Sequence, residues 1–173
     1  MIILGIFDDV KQLPPKLRLV ITAIACLVAI FGGLSLEKIT NPFGGVIILN
    51  NFFILAGLIV FVWLMGMMYT TKVLDGLDGL TTGIALIAAM MIFFLTNTQK
   101  YFQPNVGLIA LIFAGCSLGF LLFNFHPAKI FLGEAGSLFV GFILGVLAVI
   151  AGGKLATALL VMAIPILDLA RVI

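Results

Sequence analysis

The sequence predicts an all-α, polytopic integral membrane protein with about six transmembrane helices joined by short loops. Of its 173 residues, 64% are hydrophobic and 9% are charged, whereas about a quarter of the residues of a soluble domain are charged. The apolar stretches are continuous rather than alternating, which excludes the strands of a membrane β-barrel. Nine Lys and Arg against seven Asp and Glu do not form the basic cluster that a nucleic-acid partner needs. The chain is therefore expected in a lipid bilayer.

Uncharged intervals of about 20 apolar residues mark the predicted helices in chain order. Asn41-Pro42, Gln103-Pro104 and Gly152-Gly153 mark turns between them. The apolar segment 1–7 is too short to cross a bilayer, and no basic segment precedes it, so it is predicted to be neither a span nor a signal peptide. The predicted spans are 19–36, 51–68, 80–96, 106–123 and 137–151, with 155–167 beginning a further one.

Assigning the loops alternately to the two membrane faces gathers the charges on one face. Most Lys and Arg residues lie there, so the positive-inside rule predicts that this face is cytoplasmic. Every acid except Glu37 lies on the same face, although that rule gives acids no side preference. The asymmetry favours a polar reaction site, and the alternative is that short loops collect whatever charges exist. The acids on this face are Asp8, Asp9, Asp75, Asp78, Glu134 and Asp168.

The first candidate cluster follows the opening apolar segment. Asp8 and Asp9 are adjacent, and Lys11, Lys16 and Arg18 come soon after them. Carboxylates at a membrane boundary can supply oxygen ligands to Mg²⁺, and nearby cations can bind phosphate oxygens. Neighbouring helical positions point about 100° apart, so both acids reach one ion only through irregular backbone or a water molecule. A helix cap with solvated charges is the alternative interpretation.

The second cluster is the segment Leu-Asp-Gly-Leu-Asp-Gly-Leu at residues 74–80. At this spacing, the carboxylates of Asp75 and Asp78 are predicted to share one face of a helical turn at the start of the next span. Gly76 and Gly79 allow a ligand or a neighbouring helix to approach the backbone closely. A shared cation or a donor-rich ligand would relieve the repulsion between the two acids. An acidic helix cap is the alternative.

The third cluster, residues 124–137, combines an amide, an imidazole, an ammonium, a carboxylate and a hydroxyl. Backbone N–H groups at the helix start near Gly133 and Ser137 favour an anion, and Lys129 can reach a phosphate from the preceding turn. His126 by itself is interpreted as a loop residue. One His and two Cys within apolar spans offer no zinc-ligand spacing.

These three clusters, in this order, resemble the membrane-embedded polyprenyl-phosphate N-acetylhexosamine-1-phosphate transferases of glycosyltransferase family 4. That family includes phospho-N-acetylmuramoyl-pentapeptide transferases and undecaprenyl-phosphate GlcNAc-1-phosphate transferases. Residues 7–9 with Pro15-Lys16 are similar to the family's aspartate pair and Ser-Pro-Lys segment. Residues 73–80 match its Asp-Gly-Leu-Asp-Gly motif, and residues 127–137 match its Phe-Met-Gly-Asp-Thr-Gly-Ser segment.

The resemblance implies transfer of an N-acetylhexosamine 1-phosphate, with GlcNAc 1-phosphate slightly favoured, from a UDP-sugar to polyprenyl (undecaprenyl) phosphate, with release of UMP. The setting would be the cytoplasmic face of the plasma membrane, in cell-wall or surface-polysaccharide synthesis. The implied cofactor is Mg²⁺, with Mn²⁺ as the alternative, and a homodimer is left open. The implied catalytic residues are Asp8, Asp9, Asp75 and Asp78, the implied metal ligands are Asp8, Asp9 and Glu134, and the implied substrate-binding residues are Lys16, Lys72, Asn124, Lys129, Gly133 and Ser137.

The chain departs from the family pattern in three ways. Glu134 replaces the family's Asp. Its extra methylene moves the carboxylate relative to a bound Mg²⁺, an ion that requires a strict coordination geometry. Tyr69 and Lys72 stand where the family usually has two Asn. The family's histidine-rich loop would follow Arg171, and its N-terminal spans would precede residue 1, so residues 1–173 are expected to form one membrane domain within a longer transferase.

Three other hypotheses compete with the transferase. A catalytically inactive or partial homologue would explain the departures at Lys72 and Glu134. An ion or proton transporter would line a path with carboxylates, but it predicts acids at several membrane depths. A CDP-alcohol phosphotransferase is disfavoured because no Ala-Arg follows the Asp-Gly motif at the required spacing.

Overall fold

The computed structural model describes residues 14–36, 38–40, 46–48, 53–99 and 102–151. Within them it has five helices and one two-stranded hairpin, and the predicted helical membrane architecture is confirmed. Three of the helices, α2, α4 and α5, are long and apolar enough to cross a membrane, and α3 is a shorter apolar helix. The predicted span at 155–167 lies outside the described residues. The elements are α1 (Pro15–Phe31), β1 (Lys38–Thr40), β2 (Val46–Ile48), α2 (Phe53–Leu74), α3 (Leu80–Thr96), α4 (Pro104–Asn124) and α5 (Gly133–Ile150).

The helix boundaries differ from the uncharged intervals of the sequence. Helix α1 begins at Pro15 rather than residue 19, and α2 continues past residue 68 to Leu74. Long charged side chains at a helix end can extend their heads toward water, so a charge does not terminate a helix. Helix α1 ends at Phe31 rather than residue 36, because Gly32 caps it and Gly33 has a φ of 99°, which favours glycine.

The segment after α1 contains a hairpin that the sequence did not predict. Strand β1 pairs antiparallel with β2, with Lys38 opposite Ile48 and Thr40 opposite Val46. The turn predicted at Asn41-Pro42 lies outside the described residues. Strands of three residues are too short to show an alternating pattern, which explains why periodicity did not reveal them.

Helices α3 and α4 pack closely along their length through small side chains. Ala85 and Ala89 of α3 and Ala110 and Ala114 of α4 are buried. A Cβ atom on Gly107 of α4 would lie 2.9 Å from Thr96 Oγ1 of α3. Small residues at such an interface allow two backbones to approach, which is how membrane helices gain packing contacts without a hydrophobic driving force.

Helices α2 and α5 form the second closely packed pair. A Cβ atom on Gly141 of α5 would lie 2.6 Å from the carbonyl oxygen of Met67 and 2.8 Å from Met68 Cα, both in α2. Thr71 Oγ1 donates to the carbonyl oxygen of Ser137 at 2.8 Å. These contacts fix the register of the pair, so the last turn of α2 lies beside the first turn of α5.

Candidate active site

The charged and imidazole side chains that the structure describes all lie at one end of the helix bundle. Helices α2 and α4 end there, and α1, α3 and α5 begin there. The turn at residues 75–79 joins α2 to α3, and the loop at residues 125–132 joins α4 to α5. The acids and cations that the sequence assigned to one face are therefore brought together in this part of the chain, while Asp8, Asp9 and Asp168 lie outside the described residues. The described members are Lys16, Arg18, Lys72, Asp75, Asp78, His126, Lys129 and Glu134.

Glu134 joins three helices through one carboxylate oxygen. Its Oε1 lies 2.7 Å from Arg18 Nη1 of α1 and 3.0 Å from Lys72 Nζ of α2. The three side chains are between 21% and 31% exposed, so the cluster is largely shielded from water yet reachable. Tyr69, one turn before Lys72, places its hydroxyl 3.5 Å from Thr22 Oγ1 of α1. Of the two positions that depart from the family pattern, Tyr69 thus ties α2 to α1 and Lys72 ties α2 to α5.

The contact between Arg18 and Glu134 is a feature that sequence reasoning missed. The sequence groups Arg18 with Asp8 and Asp9 as a nearby cation, and its contact with Glu134 spans 116 positions of the chain. The usable signal was its place in the first turn of a helix that begins at the same membrane face as Glu134.

The two cations beside Glu134 bear on its predicted role as a metal ligand. Mg²⁺ lies about 2.1 Å from its oxygen ligands, so an ion on Oε1 would come within about 5 Å of both cations. At that distance two unit charges repel by about 3 kcal/mol at an effective dielectric constant of 20, and a divalent ion doubles this energy. In the part of the chain that the structure describes, no three His, Cys, Asp or Glu residues are grouped to hold a metal. Because Asp8 and Asp9 lie outside that part, metal binding by Asp8, Asp9 and Glu134 stays a prediction.

Asp75 is half-buried and lies in a turn rather than in the predicted helical turn, since α2 ends at Leu74 and α3 begins at Leu80. Burial raises the pKa of its carboxyl to about 6. The Thr81 hydroxyl approaches the carboxylate and lowers that pKa, although its geometry falls outside that of an ordinary hydrogen bond. A carboxylate that titrates near neutral pH is suited to accept and release a proton.

Asp78 is used differently from Asp75. Its Oδ2 accepts hydrogen bonds from the backbone N–H of Ala128 at 3.1 Å and lies 3.2 Å from His126 Nδ1. Asp78 thereby fastens the 125–132 loop to the 75–79 turn. The imidazole of His126 is 81% exposed, in agreement with its interpretation as a loop residue. A catalytic role for Asp78 stays a prediction.

Asn124 is the buried link between the two connecting segments. Its Oδ1 accepts from the Gly79 N–H at 3.2 Å and from Thr82 Oγ1 at 2.9 Å, and its Nδ2 donates to the Ile130 carbonyl at 2.9 Å. The residue is 4% exposed. The amide is thus engaged in positioning the 75–79 turn and the 125–132 loop, and substrate binding by Asn124 stays a prediction.

Replacing Asn124 by alanine is expected to lower the free energy of unfolding by about 2–3 kcal/mol, because the Gly79 N–H and the Ile130 carbonyl lose a buried partner. Unfolding in mixed detergent micelles measures the change. Asn97→Ala is the matched control, since the exposed Asn97 Nδ2 makes one contact, to the Phe93 carbonyl at 3.0 Å. Equal losses in the two variants would contradict a linking role for Asn124.

Left-handed glycines precede or begin the helices that leave the site. Gly79 has a φ of 74° before α3, and Gly133 has a φ of 69° at the start of α5, a conformation that other residues rarely adopt. Ser137 is buried, and its hydroxyl donates to the Glu134 carbonyl at 3.2 Å. Lys16 and Lys129 are exposed and make no ion pair with any side chain in the described ranges. Substrate binding by Gly133, Ser137, Lys16 and Lys129 stays a prediction.

Comparison with known proteins identifies relatives along nearly the whole sequence. Residues 1–152 match the glycosyl transferase family 4. A Bacillus subtilis (strain 168) protein named "Probable undecaprenyl-phosphate N-acetylglucosaminyl 1-phosphate transferase" is 30% identical over 96% of this chain and 47% of the relative. Decaprenyl-phosphate N-acetylglucosaminephosphotransferase of Mycolicibacterium smegmatis is 30% identical over 88% of this chain and 39% of the relative.

A phospho-N-acetylmuramoyl-pentapeptide-transferase of Limosilactobacillus reuteri (strain DSM 20016) is 40% identical over 50% of this chain and 28% of the relative. These relatives are named for N-acetylglucosamine or for N-acetylmuramoyl-pentapeptide, the two transferase types that the resemblance included. The chain spans about half the length of these curated relatives or less.

Proposed function

The chain belongs to glycosyl transferase family 4, and on this premise we propose that it transfers an N-acetylhexosamine 1-phosphate from a UDP-sugar to a polyprenyl phosphate, releasing UMP. The observation that carries the proposal is the meeting of cations and carboxylates at one end of an apolar helix bundle. Joining two anionic phosphates needs positive charge to offset repulsion and to align an in-line attack. GlcNAc 1-phosphate is the favoured group, because the Bacillus and Mycolicibacterium relatives are named for N-acetylglucosamine.

The described residues can divide the chemistry between them. Arg18, Lys72 and Lys129 supply positive charge for phosphate oxygens. The attacking group is an oxygen of the lipid phosphate, which forms a bond to the sugar-bound phosphorus while the bond to UMP breaks. A phosphate monoester has a second pKa of about 6. Asp75, with a pKa of about 6, is matched to take the remaining proton from that acceptor.

Magnesium belongs to the proposal through Asp8 and Asp9, with Mn²⁺ as the alternative. A bound divalent ion would supply charge neutralisation to the phosphates. The plasma membrane and a cytoplasmic orientation of the site are proposed from the distribution of Lys and Arg. A homodimer stays a prediction.

Two alternatives are separated by different observations. A transporter path predicts carboxylates at several membrane depths, whereas the described acids lie at one end of the bundle. This arrangement gives the transporter no support. An inactive homologue predicts an assembled site without turnover, so activity distinguishes it.

Exchange of labelled UMP into a UDP-N-acetylhexosamine tests the function. The full chain is reconstituted in nanodiscs with polyprenyl phosphate and Mg²⁺. We expect exchange that requires polyprenyl phosphate, falls by about 10²-fold or more in Asp8→Asn, and stops when EDTA removes the metal. Lys38→Gln is the control, since Lys38 follows α1 at the end opposite to Arg18. Absence of exchange with every UDP-N-acetylhexosamine would favour the inactive homologue, and exchange that persists in EDTA would exclude magnesium.

A further inference from the structure

The Glu134 cluster has a feature that the proposed function leaves unexplained. One carboxylate oxygen binds a guanidinium from α1 and an ammonium from α2, at 2.7 Å and 3.0 Å. Together the three side chains carry a net charge of +1. They come from three helices, so their meeting depends on the tertiary fold rather than on sequence neighbours.

We propose that Glu134 is a positioning residue that holds Arg18 and Lys72 together as a binding site for a phosphate group, and that its carboxylate is not a metal ligand. The inference rests on the proposed function for the identity of the phosphate. That group belongs either to the soluble nucleotide or to the lipid, and both present the same oxygens to the two cations.

Glu134 and Lys72 lie at helix ends whose dipoles match their charges. Glu134 lies in the first turn of α5 and Lys72 in the last turn of α2. A helix dipole favours a negative side chain at the first position and a positive one at the last. The carboxylate and the ammonium therefore each lie at the helix end that attracts their charge.

The Glu134 carboxylate also brings the Arg18 and Lys72 side chains together. Two cations on separate flexible side chains repel each other, so they do not converge without an anion between them. Glu134 supplies that anion, since both cations contact its Oε1. The Lys72 ammonium has three N–H donors, and phosphate oxygens are strong acceptors of charge-assisted hydrogen bonds from ammonium and guanidinium groups.

A double-mutant cycle on the full chain in nanodiscs tests the inference, with EDTA present to remove metal. UDP is titrated calorimetrically, and ³¹P NMR follows polyprenyl phosphate in the same nanodiscs, so the two arms distinguish the nucleotide from the lipid. Lys72→Gln is expected to lower the affinity for UDP or for polyprenyl phosphate by about tenfold, which corresponds to the loss of one charge-assisted contact. Lys38→Gln, which also removes one lysine charge, is expected to leave both affinities unchanged.

The substitution Glu134→Gln separates positioning from metal binding. In the parent protein, this substitution is expected to lower the affinity for the same ligand by about threefold to tenfold. In the double variant Arg18→Gln, Lys72→Gln, it is expected to have no further effect on that affinity. Glu134→Asp, which keeps the charge, should restore part of the affinity. Binding of Mn²⁺ alone, followed by electron paramagnetic resonance, should be the same in Glu134→Gln as in the parent.

Two results would overturn the inference. One is loss of Mn²⁺ binding in Glu134→Gln, and the other is unchanged affinity for both phosphate probes in Lys72→Gln. If Glu134→Gln does not fold, Lys72→Gln and Arg18→Lys decide the question alone, because each retains the carboxylate. If the protein still binds UDP or polyprenyl phosphate but does not catalyse exchange, that result would count against the proposed function and leave this inference standing.

Discussion

Replacing Asp75 by asparagine is expected to reduce UMP exchange by about 10²–10⁴-fold, the range of a lost proton-transfer group. The side chains are nearly the same size, so the turn between α2 and α3 should keep its shape. What changes is the capacity to take a proton at a pKa of about 6. Exchange rates of parent and variant at saturating UDP-N-acetylhexosamine measure the effect.

The pH dependence of the parent should follow the same group. If ionised Asp75 is required, the exchange rate rises between about pH 5 and 7, with a midpoint near the pKa of about 6. The residual activity of Asp75→Asn should lack this limb. An unchanged profile in the variant would assign the limb to another group.

Stability should change in the opposite direction from activity. Burial raises the pKa of Asp75 from 3.8 to about 6, so the folded protein binds a proton that the unfolded chain has lost. The stability from this proton is fully present below about pH 4 and is lost as pH rises through about 6. At pH 7.5, Asp75→Asn should therefore be more stable than the parent, by about 1 kcal/mol after allowance for partial exposure and screening.

Asp78→Asn is the matched comparison for the stability effect. Asp78 Oδ2 contacts Ala128 N and His126 Nδ1, so its neutralisation weakens the attachment of the 125–132 loop and should lower stability. An Asp75 variant that loses stability at pH 7.5, as Asp78→Asn does, would show that Asp75 serves the fold rather than the chemistry.

The sequence was sufficient to predict the helical class and the clustering of the described charged side chains at one end of the bundle. Both depend on where charges interrupt apolar runs, and the free energy of placing a charge in a bilayer makes that pattern reliable. The contact between Arg18 and Glu134 could not be predicted in the same way. It joins positions 116 apart, and its geometry depends on how α1 and α5 both pack against α2.

Asp75 and Asp78 illustrate the same limit at short range. Their spacing predicted two equivalent carboxylates on one helical face, and α2 instead ends before them. The two carboxylates also differ in their surroundings, since the 125–132 loop contacts Asp78 and Asp75 is half-buried. Local periodicity contains no information about a loop that returns from 50 positions away, so the two acids could not be distinguished from sequence.

The substitution Gly141→Ala is expected to lower the free energy of unfolding by about 3 kcal/mol, the upper range for overpacking. The added methyl group would meet the Met67 carbonyl oxygen and Met68 Cα, at 2.6 Å and 2.8 Å. These are backbone atoms of α2, so the clash is relieved only if α2 and α5 separate. Unfolding in mixed detergent micelles measures the loss.

Two other glycines of the same helix pair make this a graded test. A methyl group on Gly145 would lie 2.9 Å from Leu64 Cδ2, the end of a flexible side chain, so Gly145→Ala should lose only about 1 kcal/mol. Among the described residues, and apart from its chain neighbours and the nearby backbone of its own helix, no atom lies within 4 Å of a Cβ at Gly66, where alanine should stabilise the helix by about 0.5–1 kcal/mol. Equal effects at the three positions would contradict close backbone packing as the cause.

The activity of Gly141→Ala connects this packing to the site. Separation of α2 from α5 would lengthen the hydrogen bond from Thr71 Oγ1 to the Ser137 carbonyl, now 2.8 Å, and would move Lys72 away from Glu134. The folded fraction of Gly141→Ala should therefore show weaker phosphate binding, whereas Gly66→Ala should bind as the parent does. Since Gly141 lies two helical turns from Glu134, such a loss would act through the spacing of the helices, and parent-like binding would mean that the site tolerates a wider pair.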